Sequence, residues 1–171
     1  KFPFIELPSD LRIELINNVQ KIISISKEDW DQKIYSMDFR NNPLIKLSIK
    51  TEQISEAYQK YTDHINEEVK LYKHLQNENE KILHHFLSMD IAEEADLPVT
   101  LYWNEINLNR GLFHSQSIVD LISYSVGCMM GRYSLDQEGL VYAHAGNEDF
   151  DTSLYQTFAA DSDGIIPITD E

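Results

Sequence analysis

Positive charge is scarce in this 171-residue chain: 14 Lys+Arg face 29 Asp+Glu, for a formal charge of -15. The deficit is uneven. Residues 1–81 hold 12 basic and 14 acidic side chains, whereas residues 82–171 hold only Arg110 and Arg132 against 15 acidic ones. Nucleic-acid affinity is dominated by phosphate contacts, which need cations. The second half is therefore a poor nucleic-acid surface by itself, and any such contact falls to residues 1–81. A single cysteine, Cys128, excludes a disulfide framework and reads as a buried reduced thiol in a cytoplasmic protein. No glycine-rich loop follows a strand-like run, so no nucleotide or S-adenosylmethionine cradle is present. No apolar run is long enough to span a bilayer. The six histidines (His64, His74, His84, His85, His114, His144) form no HExxH pattern and have no cysteine cluster beside them. Asp161-Ser162-Asp163-Gly164 opens like a calcium loop but lacks the later bidentate glutamate, and reads as a turn. No residue is assigned a catalytic, cofactor-binding or metal-binding role.

What is present describes a globular, mostly helical chain. Hydrophobic content is 42% and charged content 25%, enough for a real core. The least ordinary stretch is residues 118–136. Val119, Ile122, Val126, Met129 or Met130, and Tyr133 fall on one helical face, while Ser123, Gly127 and Gly131 form a second stripe of small residues. Interior glycine costs a helix about 1 kcal/mol relative to alanine. Two at a helical interval predict a buried helix over residues 117–133, capped by Ser115 or Ser117, with another backbone close against Gly127 and Gly131. Arg132 suits the C-terminal end of the helix dipole, with a DNA contact as the alternative reading.

The run ISYSVGCMMGRYSLDQEGLVYA (residues 122–143) resembles a segment of the PglX family, the adenine-specific DNA methyltransferases of BREX phage-defence systems. LRIELINNVQKIISISKEDWD (residues 11–31) and DSDGIIPITDE (residues 161–171) agree in order, so the resemblance spans nearly the whole chain. Gly127, Gly131, Arg132 and Tyr133 carry the family motif. Such proteins are several times longer, and a chain that begins at Lys1 and ends after a strand-like run reads as an internal piece. The resemblance implies an S-adenosylmethionine-dependent parent enzyme. The tetrapeptide Asn/Asp-Pro-Pro-aromatic with which adenine methyltransferases hold a flipped base does not occur in these 171 residues.

The pattern predicts a mainly α fold: a long helical arm packed in a helical bundle, with a few short β-strands. Residues 1–8 read as an extended edge. Ser9 is a fitting N-cap, and Leu11, Leu15, Val19, Ile22 and Ile23 make one apolar face of a helix to about residue 24. A second helix starts at Ser26 with a capping-box-like pattern and turns Trp30, Ile34 and Met37 inward. Asn41-Asn42-Pro43 is a break. Residues 51–90 read in heptads: Thr51, Tyr58, Ile65, Tyr72, Asn79 and Phe86 at one seam position, Ile54, Tyr61, Glu68, Leu75, Ile82 and Met89 at the other. Asn79 is either partly exposed or a register-fixing polar residue in that seam. Residues 99–108, 140–142 and 165–168 have strand character, and Asn109-Arg110-Gly111 reads as a turn. Two parts are expected: residues 1–90, a connector with a coiled-coil-like arm, and residues 91–171, the glycine-bearing helix with short strands and acidic loops.

The first functional reading is a non-catalytic helical connector of the methyltransferase, with no cofactor in this chain and S-adenosylmethionine bound by the parent. Its partners would be the rest of the parent, DNA through the parent, and other defence-system subunits, with no membrane. The alternative is an acidic helical interaction module with no enzymatic parent. A self-contained hydrolase is weakest, because no nucleophile–base pair is present.

Overall fold

The computed structural model describes residues 6–48, 53–87, 101, 110–144 and 149–161. Among these the chain is mainly helical: α1 (Ser9–Asp31), α2 (Pro43–Ser48), α3 (Ile54–Leu87), α4 (Arg110–Met129) and a 3-10 turn at Thr152–Leu154. No strand occurs among the described residues. Residues 140–142, expected as a strand, are irregular; Val141 N–H donates to the Arg132 carbonyl (3.0 Å), and the Tyr142 ring meets Phe150 edge-on at 5.2 Å. The strands expected at 99–108 and 165–168 lie outside the described residues, apart from Leu101, which is irregular and buried. The chain divides into two units, residues 1–29 with 62–104 and residues 30–61 with 105–171, and α1 and α3 each supply both. No helix among the described residues is long and apolar enough to cross a membrane.

In the first unit, α1 and α3 run antiparallel. Asn18 Nδ2 donates to Asn79 Oδ1 at 3.0 Å, and His64 lies 3.9 Å from Glu28, so rising numbers on one helix meet falling numbers on the other. Asn79 thus has a polar partner inside a partly buried contact. Over the whole of α3 the buried residues are Ala57, Tyr61, Ile65, Val69, Tyr72 and Leu75. They advance eighteen residues in five steps, the 3.6 period of a straight helix. A strict 3.5 seam drifts off that stripe, which is why Ala57 and Val69 join it while Ile54 is exposed.

Helix α1 passes unbroken through the boundary expected near residues 24–26. The Ser26 hydroxyl donates back to the Ile22 carbonyl at 2.9 Å instead of opening a new helix. Ser9 lies in the first turn, and the Pro8 carbonyl accepts the first bond, from Arg12 N–H. After Asp31 the chain leaves the helix by successive i to i+3 bonds, Lys33 to Trp30, Ser36 to Lys33 and Phe39 to Ser36. Trp30, still within α1, faces outward; beyond the helix end the helical phase is lost, so Met37 also faces outward while Lys33 and Phe39 face inward. Asn42 then caps α2, its side chain accepting from Leu44 N–H at 3.0 Å, with Pro43 in the first helical position.

The second unit is built around α4. Phe113 packs on Tyr58 and Tyr61, with ring centroids 6.3 and 5.8 Å apart. The Tyr61 hydroxyl donates to Gln32 at 2.7 Å. Helix α4 begins at Arg110, not at the expected caps. Ser115 and Ser117 sit inside it and donate to the carbonyls of Gly111 and Phe113, four residues back.

Candidate functional site

The motif residues meet at the C-terminal end of α4, and the two glycines differ in role. The helix ends at Met129. Gly131 N–H donates to the Cys128 carbonyl (3.0 Å) and Arg132 N–H to the Gly127 carbonyl (2.8 Å), the paired bonds of a Schellman cap. Gly131 takes φ +71° there, a conformation that a β-carbon disfavours. Gly127 is still helical. A β-carbon on it would lie 2.5 Å from Cδ2 of Tyr133, whose ring folds back over the helix end. The neighbours that keep both positions small are therefore rings and not a second backbone: Tyr133 over Gly127, and Phe150 at 2.5 Å from the corresponding point on Gly131. Arg132 is exposed, its guanidinium carbon 5.9 Å from the centre of the Tyr133 ring.

Tyr133 completes an aromatic core. It stacks on Tyr124 with centroids 5.3 Å apart, and both meet the Phe39 ring edge-on at 5.4 and 5.9 Å. Cys128 is buried in the same cluster, with Ile34 and Ile45 against it. The buried Tyr124 hydroxyl donates toward Asn41 Oδ1 (3.1 Å) and the Ser134 carbonyl (3.3 Å), tying α4 to the segment before α2 and to the returning chain. Burial above all, with the Cys128 sulfur close by, pushes the Tyr124 phenol well above its ordinary range. Burial also raises the Cys128 thiol, offset in part by its hydrogen bond to Tyr124. Both groups stay protonated near neutrality, so neither is poised as a nucleophile or base.

The returning chain is stitched down further along. Ser134 Oγ donates to the Leu154 carbonyl at 2.7 Å, the Tyr155 hydroxyl to the Gly131 carbonyl, and Asp161 N–H to the Met129 carbonyl at 2.8 Å. Phe150 stacks on Tyr155 at 5.1 Å. Asp136 accepts from both the hydroxyl and the N–H of Thr157, which hold its carboxyl below the ordinary aspartate range. Near the middle of α4, Asp120 meets the buried Lys33 at 3.3 Å and accepts from Gln116 at 2.8 Å. Among the described residues no group of three or more potential metal ligands comes together.

The opposite face of α4 departs from expectation. Val119, Ile122, Val126, Met129 and Met130, placed with Tyr133 on one apolar helical face, are exposed, whereas Tyr133 is buried. The buried side is Phe113, Ser117, Tyr124, Gly127 and Cys128. Ser123, expected with the small stripe, faces outward. Aromatic rings and small residues, not the aliphatic ones, form the inner face because Tyr124 and Phe113 bring the larger area and Gly127 admits the Tyr133 ring.

The interlocked helix end does not by itself name a reaction, and the sequence relatives point further. The chain is homologous to a segment of adenine-specific methyltransferases of BREX systems. It is 39% identical, over all of its own length, to the adenine-specific methyltransferase BrxX of Escherichia coli O9:H4 (strain HS), of which it covers 15%. It is 29% identical, over 92% of its length, to the adenine-specific methyltransferase PglX of Lacticaseibacillus casei (strain Zhang), of which it covers 13%. No family model matches the chain. The resemblance read from residues 11–31, 122–143 and 161–171 thus leads to the same proteins.

Proposed function

We propose that this chain is a non-catalytic helical connector within an S-adenosylmethionine-dependent N6-adenine DNA methyltransferase that serves phage defence in a restriction-modification-like manner. The observation that carries the reading is homology, along all of the chain in one case and 92% of it in the other, to about a seventh of two adenine-specific methyltransferases. The chain itself has neither a base-holding Pro-Pro-aromatic tetrapeptide nor a glycine-rich cofactor loop. Its work is mechanical: α1 and α3 set a distance, and the interlocked end of α4 fixes where the chain leaves. Cofactor and DNA are held by the rest of the longer polypeptide, in the cytoplasm, and other defence-system subunits are its further partners. The same homology leaves the alternative, an interaction module with no enzymatic parent, without an observation in its favour beyond acidity.

The test is photochemical cross-linking of labelled S-adenosylmethionine to the full-length polypeptide that carries this chain, followed by peptide mapping. Label is expected only on peptides outside residues 1–171. Label on any peptide of this chain would overturn the connector reading.

A further inference from the structure

Helix α4 is covered on one side by its own unit and exposed on the other, and the exposed side is patterned. Ser115, Val119, Ile122, Val126 and Met129 recur at alternating steps of four and three, a mean of 3.5 residues, and all five are exposed, with Val119 at 52% and Ile122 at 57%. Exposed apolar residues scattered singly need no explanation, but a contiguous stripe marks an interaction surface. Spacing of 3.5 is that of a seam whose side chains enter the holes of a second helix. Ser123 and Ser125 flank the seam, and neither edge carries a charge. Close approach is therefore open, and pairing is not selected by ion pairs across the edges.

Two further facts select the occupant. Residues 82–171 carry 15 acidic side chains against Arg110 and Arg132, so a second copy would bring like charge against like charge. The chain also covers only 15% and 13% of its relatives, so most of their polypeptide lies outside the matched segment. We propose that residues 115–129 are the docking face for a helix from another part of the same polypeptide, with aliphatic residues at matching 3–4 spacing and Lys or Arg outside that stripe. This rests on the chain being a segment of a longer methyltransferase.

The experiment places a benzophenone amino acid at Ile122, at Ser115 as a second site that perturbs packing less, and at the exposed Gln137 as a control, in the full-length polypeptide. Isotope-labelled and unlabelled copies are mixed before irradiation. The expected result is a cross-link from Ile122 or Ser115 to one helical peptide outside residues 1–171, within a single copy, with none above background from Gln137. A cross-link to residues 1–171, a cross-link between labelled and unlabelled copies, equal reaction at Gln137, or no cross-link at either seam position would each overturn the proposal. Adenine methylation by the unsubstituted polypeptide is measured in parallel. Its absence would remove the methyltransferase reading and leave the docking face to be decided by the cross-links alone.

Discussion

Replacing Gly127 with alanine sets two effects of opposite sign against each other, and the structure says how to separate them. An interior helical glycine gains about 1 kcal/mol on becoming alanine. The new methyl would lie 2.5 and 2.8 Å from two carbons of the Tyr133 ring. That ring cannot swing away freely, because it is buried, stacked on Tyr124 and edge-on to Phe39. Overpacking of this kind costs about 1–3 kcal/mol, so Gly127→Ala alone is expected to be neutral to about 2 kcal/mol destabilising. Tyr133→Leu shortens the side chain and withdraws the ring atoms. In that background the steric cost disappears and Gly127→Ala should stabilise by the bare propensity gain. The double-mutant cycle then yields a coupling of about 1–3 kcal/mol. Urea unfolding followed by far-ultraviolet circular dichroism measures all four proteins, with stability compared at unchanged slope. If Gly127→Ala shifts the midpoint equally in both backgrounds, the Tyr133 ring is not what keeps residue 127 small.

Gly131→Ala should cost about 1–2 kcal/mol through its left-handed backbone alone, and Gly131→Asn less, since asparagine tolerates that region; equal thermal shifts would refute the capping role. Asp136 has a depressed carboxyl in the folded chain, so its stabilising contribution is present above the ordinary aspartate range and is lost as pH falls through the lower folded value. Asp136→Asn should therefore flatten the acid limb of a stability–pH profile, and Thr157→Ala should move the Asp136 carboxyl titration, followed by NMR, back toward the ordinary range. Lys33→Met strips the partner from Asp120, which keeps Gln116 and some solvent, for an expected loss of about 1–3 kcal/mol. Adding Asp120→Leu should restore much of that loss, and additive losses in calorimetry would show that the ion pair is not what Lys33 provides.

The helices were legible to the extent that their burial follows a local period. Residues 51–90 announced α3 within a few residues of Ile54–Leu87, and only the assumed supercoil misplaced Ala57, Val69 and Ile54. Boundaries set by serine were not legible, because the same hydroxyl can cap a helix or bond back within one, as Ser26, Ser115 and Ser117 do. The aromatic core was not legible either. It joins Tyr124 to Asn41 across 83 positions and Ser134 to Leu154 across 20, and no periodicity spans such distances. Gly131 carried a usable signal, a glycine just after the last periodic residue, which is the mark of a C-cap. Asp120 carried another: a lone charge in an apolar run needs a partner, and Lys33 supplies it.

Sequence pattern fixes which faces of a helix must leave water, but not what covers them. In α4 the small face is filled by the chain's own return through Tyr133, Phe150 and Tyr155. The aliphatic face at Val119, Ile122 and Val126 is left outside. Helix α1 shows the same division, with Leu11, Leu15, Ile22 and Ile25 wholly or partly covered and Ile13, Ile16, Val19 and Ile23 exposed. A helix that is apolar on more than one side is expected to be enclosed. Residues 82–171 repel phosphate through their net negative charge. Docking on the α4 face therefore draws most of its affinity from apolar area and helix spacing, and the attraction between the acidic surface and the partner's Lys or Arg adds a part that salt screens, so the affinity should fall moderately as salt rises and persist at high salt.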